Sequence, residues 1–491
     1  MTSRLVGAAL LLTVPSVSVA EDSVVTYHNG NSRHGAYVVP TLTLDAAVHM
    51  QRDTGFTAAI TGHVYAQPLY WKPKGAKRGL VIVATESNNV YALDDRNGAT
   101  VWQRSLGAPA GHNELGCGNI DPVGVTGTPV IDPAAQVLYL AALMHTNNGP
   151  KHKVFALSLG DGSILSGWPL DMETELGKQG ATFSSTVQGE RSALLIYANR
   201  LFVNYAGNWG DCGTYYGTVA QINPANPSLE ANWQTRAKGG GIWAQGGLAG
   251  DGTYLFVTTG NTFGANSWSD GEAIIRLHPG LARHDNNTKD YFAPSNWQQL
   301  DNSDQDLGGT EALPFNIGTG GKPAKRVIAF GKDGKAYLVN RGNLGGIGGQ
   351  LESVQVAGGG IRTAPAIYET ATGTMVAFTN SGSSHCSGGN VAMLNIAASG
   401  SPLINFAWCA ALNGGGAPIV TTTDGTANAI VWAIGAEGDN ALHGYDAKTG
   451  NVVFSGNGTQ MTGLHHFQTI LATRNRFYVG ADNNVYAFKW R

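Results

Sequence analysis

The chain has 491 residues, of which 68 are glycine and 13% are charged, and its formal net charge is -3. This charge balance gives no reason to expect a nucleic acid or an anionic membrane surface as a partner. The sequence also lacks the GxSxG, HExxH and phosphate-binding loop motifs, so hydrolase and nucleotide-binding functions are not indicated.

Residues 1–20 predict a secretory signal peptide. Arg4 supplies a short positive region, an apolar run follows, and Ser18 and Ala20 place small residues at the two positions that a signal peptidase reads. No other apolar run is long enough to cross a bilayer. The sequence therefore predicts a mature chain of residues 21–491 that forms one domain, has no membrane span and is secreted or periplasmic.

The four cysteines would then lie in an oxidising compartment, where disulfides persist. Four cysteines allow three pairings, and the sequence alone does not choose between them. The interpretation that we favour pairs Cys386 with Cys409, which lie in one repeat unit, and leaves Cys117 to pair with Cys212.

One cassette, VYALDDRNGATVW at residues 90–102, recurs along the chain. Its alternating apolar residues predict a half-buried strand, and Asn97-Gly98 is a strong signal for a hairpin turn before a second strand. Related segments occur at residues 154–168, 336–346, 441–454 and 482–488. Self-similarity of this kind indicates an array of like units.

The repeats divide the chain into seven complete units and a shorter final piece. The units span about residues 63–107, 122–172, 181–236, 238–283, 304–357, 358–412 and 413–456, and the final piece spans 462–490. The final piece supplies only about three strands, whereas a propeller blade has four. Residues of about 24–37 would add the missing strand, which predicts an all-β, eight-bladed propeller closed by the two ends of the chain. An open β-solenoid or two sandwiches are the alternatives.

The cassette resembles the repeat of quinoprotein dehydrogenases, which use pyrroloquinoline quinone (PQQ). The strings AQPLYW, GTPVID, GGGIW, TTGNT, SDQDLGG and GKDGKAYLVNRGNLGG are similar to those of a secreted subgroup of PQQ-like propellers, most of which have no assigned activity. The resemblance implies an eight-bladed propeller with a quinone near its axis, beside a Ca²⁺ or lanthanide ion.

The resemblance also implies roles for individual residues. Trp243 matches the tryptophan that stacks on the quinone, and Asn261 matches an amide ligand of the metal. Asp304 resembles the catalytic carboxylate, which is also a metal ligand, and Asp306 resembles a second carboxylate that favours larger, more highly charged ions. Lys332 resembles the cation that contacts the quinone oxygens.

Three positions depart from the pattern of the enzymes. Cys117 stands alone where the enzymes usually have a vicinal cysteine pair. The arginine that normally follows that pair aligns near Pro122-Val123. The third-blade glutamate that binds the metal aligns with Cys212 or, one residue away, with Asp211, which we include as a candidate metal ligand.

Two functions are weighed on these residues. The favoured one is a secreted quinoprotein-type oxidoreductase that oxidises an alcohol or polyol. Because the sequence has no CxxCH haem motif, it would pass electrons to a separate acceptor. The alternative is a non-catalytic PQQ-like propeller that acts as a binding scaffold. A weaker option is a copper or zinc site built from His465, His466, His145 and His385, whose spacing matches no standard ligand pattern.

Overall fold

We describe the protein from a computed structural model. It describes residues 23–490 except 279, 283–286, 319–322, 371–372 and 387–388. The predicted signal peptide, residues 1–20, lies outside the described residues. Within this part of the chain the strands form eight sheets, one for each blade of a β-propeller. The eight-bladed fold predicted from the sequence is confirmed.

The first four blades follow one another along the chain. The first has strands Leu69–Trp71, Leu80–Ala84, Asn89–Asp94 and Thr100–Ser105. The second has Val130–Asp132, Val137–Met144, Lys151–Ser158 and Leu170–Asp171. The third has Gln188–Gly189, Leu195–Tyr197, Arg200–Gly207, Thr218–Asn223 and Ser228–Gln234. The fourth has Ala249–Gly250, Leu255–Thr259, Ala273–Leu277, Tyr291–Ala293 and Gly346–Ile347.

The last four blades include two strands from the N-terminal part of the chain. The fifth has Leu313–Ile317, Ala324–Phe330, Lys335–Asn340 and Glu352–Gln355. The sixth has Ala366–Glu369, Thr374–Thr379, Val391–Ile396 and Ile404–Ala410. The seventh has Ile419–Thr422, Ile430–Ile434, Leu442–Asp446 and Val452–Ser455, with Ala36–Val38 at its edge. The eighth has Leu471–Ala472, Phe477–Ala481, Asn484–Lys489 and Gln51–Arg52.

Helical segments are few and short in the described part of the chain. The α-helices are Leu44–Val48, Met172–Lys178 and Trp297–Asn302, and the 3₁₀ turns are Tyr27–Asn29, His112–Glu114, Leu307–Gly309 and Gly456–Gly458. Among the described residues no helix combines the length and the apolar character that crossing a bilayer requires.

The repeated cassette supplies the two outer strands of a blade and docks it on the next one. Trp102 donates a hydrogen bond from Nε1 to the carbonyl of Leu159 in the second blade, over 2.9 Å. A Cβ on Gly162 would lie 2.5 Å from the Trp102 ring, so only glycine fits beneath the indole. Trp408 packs in the same way on Gly450. The hydrophobic core accordingly lies in layers between neighbouring blades.

The ring is closed by a different segment from the one expected. Gln51–Arg52 pairs antiparallel with Asn484–Lys489 and completes the eighth blade. Residues 24–37 do not do this, and Ala36–Val38 instead pairs parallel with Ile419–Thr422 of the seventh blade. The earlier residues carry positive φ at His28, Asn29 and Arg33, a conformation that does not continue a strand. The prediction that the two chain ends close the ring is confirmed, but the assigned residues were wrong.

Residues 24–38, which we call the hub segment, contact the inner strand of every blade or the loop that leads into it. These inner strands are buried, whereas the outer strand Thr100–Ser105 is half exposed. The contacts run from Val24 and Val25 to Tyr70 and Ile131, from Arg33 to Leu194 and Leu248, from His34 to Pro314 and Ile367, from Ala36 to Val420, and from His28 to Thr469. The hub segment therefore ties the blades together at the centre of the ring.

Arg33 is the anchor of the hub segment and is fully buried. Its guanidinium donates to the carbonyls of Leu248 and Leu194 over 3.1 and 2.9 Å. It also donates to Thr26 Oγ1 over 2.5 Å. Burial lowers the pKa of Arg33 to about 10, although the charge of Glu311 acts in the opposite direction. The arginine thus remains charged at neutral pH and satisfies backbone carbonyls from two blades.

Candidate functional site

All six residues singled out from the sequence line one cavity of about 190 Å³. They come from loops of the third, fourth and fifth blades: Asp211, Trp243, Asn261, Asp304, Asp306 and Lys332. Seven other residues complete the lining: Arg191, Trp209, Gly210, Gln245, Gly309, Arg362 and Phe467. The structure therefore brings together residues that lie up to 121 positions apart along the chain, Asp211 and Lys332 among them.

Trp243 packs closely against Gly260 at the cavity wall, where there is no room for a larger residue than glycine. A Cβ at Gly260 would lie 2.8 Å from Trp243 Cδ1 and would also clash with Asp306 Oδ1. Tyr215 packs edge-on against the Trp243 ring, with the centroids 6.1 Å apart. The indole is 8% exposed, so it presents a fixed flat surface to the cavity.

Asp304, Asp306 and Lys332 form an ion-pair cluster in the lining of the same cavity. Lys332 Nζ lies 2.8 Å from Asp304 Oδ1 and also pairs with Asp306 Oδ2. Asp306 is buried, and its Oδ1 accepts a hydrogen bond from the Asn261 N–H over 2.8 Å. The Asp304 side chain is 71% exposed. The arrangement gives one buried and one accessible carboxylate beside the same ammonium group.

The cluster perturbs the lysine itself. Burial lowers the pKa of Lys332, but the charges and hydrogen bonds of Asp306 and Asp304 outweigh it, so that the pKa is raised overall. Lys332 is therefore a permanent cation of the cavity at neutral pH. Its backbone N–H also donates to the Asp306 carbonyl over 2.9 Å, which fixes the two residues relative to each other.

Asp211 faces the same cavity from the third blade. The Tyr215 hydroxyl donates a hydrogen bond to Asp211 Oδ1 over 2.6 Å. Burial raises the pKa of Asp211, and the nearby charges of Asp306 and Asp304 raise it further against the effect of the tyrosine. Three carboxylates thus share one small volume, which is unfavourable unless a cation balances them.

A fourth carboxylate lies behind the cavity wall. Glu272 is fully buried, and its Oε2 accepts a hydrogen bond from the Leu307 N–H over 2.6 Å. Burial and the adjacent Asp306 raise its pKa well above the usual range. The hydrogen bond from Leu307 to Glu272 fixes the Leu307–Gly309 turn that carries Asp306 into the site.

Sequence reasoning missed the two arginines of the cavity, Arg191 and Arg362. The expected arginine near Pro122-Val123 is absent, but Arg191 reaches the site from the start of the third blade. Its guanidinium lies 4.7 Å from the centre of the Trp243 ring, and its Nε donates to the Trp243 carbonyl over 3.1 Å. Neither arginine stands in a recognisable motif. Each lies in a loop that reaches the centre only when the ring is closed, so the local sequence does not show that it belongs to the site.

Phe467 closes the cavity on the side of the eighth blade. The Arg191 guanidinium lies 5.3 Å from the centre of its ring, so the cation contacts two aromatic faces. Trp209, at the edge of the same cavity, is 62% exposed. The cavity therefore combines aromatic side chains with charged ones.

The predicted disulfides are confirmed. Cys117 bonds to Cys212, and Cys386 bonds to Cys409. The first of these joins a loop before the second blade to the loop of Asp211, beside the cavity residue Gly210. The bond therefore stabilises one edge of the cavity, and Cys212 is not available as a metal ligand.

The predicted cluster of His465, His466, His145 and His385 is wrong. His145 pairs with Glu114 over 2.7 Å, and His466 pairs with Glu437 over 2.7 Å. Among the described residues, one group of three side chains has its potential metal-ligand atoms close together. It contains His465 but not His466, His145 or His385.

Comparisons with known proteins support the fold. A family model described as "Outer membrane protein assembly factor BamB" matches residues 66–159. No curated protein sequence matches the chain. The PQQ-like repeat that the sequence resembles is therefore confirmed for this part of the chain.

Solved structures extend the likeness to the whole ring. A quinohemoprotein alcohol dehydrogenase from Comamonas testosteroni superposes with a TM-score of 0.67 at 14% identity, over 96% of this chain and 81% of that one. A second such enzyme, ADHIIG from Pseudomonas putida HK5, gives 0.65 at 12% identity, over 96% and 80%. A europium-containing methanol dehydrogenase gives 0.61 at 13% identity, over 96% and 98%. The fold is that of the quinoprotein dehydrogenases, and identities this low establish the fold alone.

Proposed function

We propose that the protein is a secreted or periplasmic quinoprotein-type oxidoreductase that oxidises an alcohol or polyol. The observation that carries the proposal is the convergence of Trp243, Asn261, Asp304, Asp306 and Lys332 on one cavity. They lie at separate points of the sequence, and a propeller core does not require them to meet. The two disulfides support an oxidising compartment.

The cavity offers the groups that a PQQ-type cofactor requires. Trp243 gives a flat apolar face for stacking. Arg191, Arg362 and Lys332 give three cations for the carboxylates and carbonyls of the quinone. Bound there, pyrroloquinoline quinone would supply an acceptor for the two electrons of an alcohol C–H bond.

A hard metal ion fits the same donor set. Asp211, Asn261, Asp304 and Asp306 are all oxygen ligands of the kind that Ca²⁺ and lanthanide ions bind. Together they bring three carboxylates, which suits an ion of higher charge. Lys332 now balances Asp304 and Asp306, and an ion bound beside them would take over part of that role.

The protein's own residues would handle the proton and the charge. Asp304 is the accessible carboxylate, so it is the candidate base that takes the hydroxyl proton of the alcohol. Lys332 presents a positive charge where negative charge develops during oxidation. Phe467 and Trp209 restrict water at the opening of the cavity. Electrons would then pass to a separate acceptor.

One contact favours the alternative, a non-catalytic scaffold. The Arg191 guanidinium already covers a face of Trp243 at 4.7 Å, and 190 Å³ is below the usual range of about 300–1,000 Å³ for ligand pockets. Quinone stacking therefore requires Arg191 to move from the indole toward the quinone carboxylates. A scaffold would keep Arg191 in place.

Titration of metal-depleted protein with PQQ, with and without Ca²⁺ or La³⁺, tests the proposal by tryptophan fluorescence. We expect metal-dependent quenching at one equivalent, lost in Trp243→Ala and weakened in Asp304→Asn. Asp424→Asn, a change of an exposed turn carboxylate, is the control. A dye-linked assay with a panel of alcohols then tests turnover. Absence of quenching at high micromolar PQQ would refute the enzyme and leave the scaffold.

A further inference from the structure

A second cluster of ligand-type side chains lies at the seam between the first and eighth blades. His63 precedes the first strand of the first blade, and His465 and Asp482 belong to the eighth. One nitrogen from each histidine and one oxygen from Asp482 all lie within 4.8 Å of one another. None of these three residues lines the cavity described above.

Both imidazoles approach the same oxygen. His465 Nε2 lies 2.6 Å from Asp482 Oδ1, and His63 Nδ1 lies 2.9 Å from it. His63 Nδ1 is nevertheless a buried atom that makes no hydrogen bond of good geometry among the described residues. Two ring nitrogens and one carboxylate oxygen thus converge, and the His63 nitrogen lies close to that oxygen without a well-formed hydrogen bond.

A single glutamine fixes the backbone around all three side chains. Gln468 is 3% exposed, and its Oε1 accepts a hydrogen bond from the His465 N–H over 3.0 Å. Its Nε2 donates to the carbonyl of Val64, next to His63, over 2.6 Å, and also to the carbonyl of Gly480, two residues before Asp482. Gln468 therefore holds the backbone at, or next to, each of the three side chains.

The seam also leaves access for an ion. The side chains of His63, His465 and Asp482 are 40%, 20% and 24% exposed. Bonds of about 2.0–2.1 Å to a tetrahedral ion place ligand atoms about 3.3 Å apart. The two nitrogen–oxygen separations of 2.6 and 2.9 Å therefore need to open by less than an ångström. Two imidazoles and a carboxylate without a thiolate are the donor set of Zn²⁺ and of similar divalent transition ions.

We propose that His63, His465 and Asp482 form a binding site for a divalent transition-metal ion of the zinc type. The site is independent of the quinone function, because it shares no residue with that cavity. Its ligands come from both sides of the seam, where Asn483 also donates its N–H to the Gly62 carbonyl over 3.0 Å. A bound ion would therefore cross-link the first blade to the last.

The test is a Zn²⁺ titration of chelator-treated protein, without quinone, against a chromogenic chelator. Excess Ca²⁺ keeps the oxygen-rich cavity occupied, because imidazole ligands do not compete for Ca²⁺. We expect one equivalent of Zn²⁺ to bind and to raise the melting temperature. We expect His63→Ala and His465→Ala each to weaken binding at least about tenfold and to remove the thermal shift.

Two further variants separate a metal site from a surface effect. His145→Ala is the matched control, because His145 is half exposed and paired with a carboxylate in the same way. We expect it to bind Zn²⁺ like the wild type.

Gln468→Leu leaves all three ligands in place, and we expect it to weaken binding about 10–100-fold. His63 is the most exposed ligand, so its variant keeps the test valid if Gln468→Leu fails to fold. Absence of Zn²⁺ binding, or equal binding by His63→Ala and His465→Ala, would overturn the proposal.

Discussion

Gly260→Ala should disrupt the candidate cavity by adding a single methyl group. The new Cβ would lie 2.8 Å from Trp243 Cδ1, whereas ordinary contacts begin at 3.4 Å, so the indole has to retreat by about 0.6 Å. The same Cβ would also clash with Asp306 Oδ1, so the new methyl group cannot relieve the contact by moving toward that carboxylate. Gly260 carries no positive φ, so the effect is steric and not one of backbone strain. Overpacking of this kind costs about 1–3 kcal/mol.

The same strain acts on the metal ligands, because Asp306 has to move with respect to Asn261. A loss of 1.4 kcal/mol corresponds to a tenfold weaker affinity, so we expect an ion to bind about 5–150-fold more weakly in Gly260→Ala. Tb³⁺ is the suitable probe, since its luminescence can be excited through tryptophan and Trp243 lines the same cavity. Equilibrium unfolding in urea measures the loss of folding stability in the same variant.

Gly177→Ala is the matched control for this experiment. Gly177 lies in the helix Met172–Lys178, and a Cβ there meets nothing within 4 Å. We expect this variant to gain up to about 1 kcal/mol of stability and to bind Tb³⁺ like the wild type. Unchanged stability and unchanged Tb³⁺ affinity in Gly260→Ala would refute the packing argument.

Two further predictions concern the buried charges near the centre of the ring. Arg33→Met should destabilise the protein by about 3–5 kcal/mol, because it leaves buried carbonyls without a donor. The control, Arg78→Ala at a half-exposed position, should change stability by less than about 0.5 kcal/mol. Equal urea midpoints for the two variants would contradict this prediction. Burial raises the pKa of Glu311 to about 7 from 4.5, so the folded state holds a proton that the unfolded state releases. Its contribution to stability is present below about pH 4.5 and is lost as the pH rises to about 7. Between pH 5 and pH 8, the free energy of unfolding in urea should therefore fall less for Glu311→Gln than for the wild type. An equal fall in both proteins would show that Glu311 does not titrate in this range.

The fold was predictable because its signal is local and repeated. Strands such as Asn89–Asp94 and Asn484–Lys489 carry the same alternating pattern, and the turn at Asn97-Gly98 marks where one strand ends. Several copies of a weak signal fix the architecture even where one copy would not. The ring closure was misassigned because Gln51–Arg52 is too short a strand to show any period.

The candidate site was predictable only where a motif accompanies the residue. Trp243 and Asn261 stand in strings that resemble those of known enzymes, and both line the cavity. Arg191 and Phe467 stand in no such string, and their contact depends on the third and eighth blades meeting near the axis. Arg33 lay in the stretch of about 24–37 that was expected to supply a strand, and its role was not foreseen because hydrogen bonds to distant carbonyls leave no pattern in the local sequence.

The hub segment has a consequence for the order in which the chain acquires its structure. Its residues precede all eight inner blade strands along the chain, yet their partners extend to Val420 and Thr469. The docking of residues 24–38 therefore has to wait for the last blade, and it includes a contact between residues 441 positions apart, His28 and Thr469. Long-range closure of this kind slows folding. Early blades would meanwhile remain exposed at their inner edge, which makes this protein a candidate for chaperone protection while it folds.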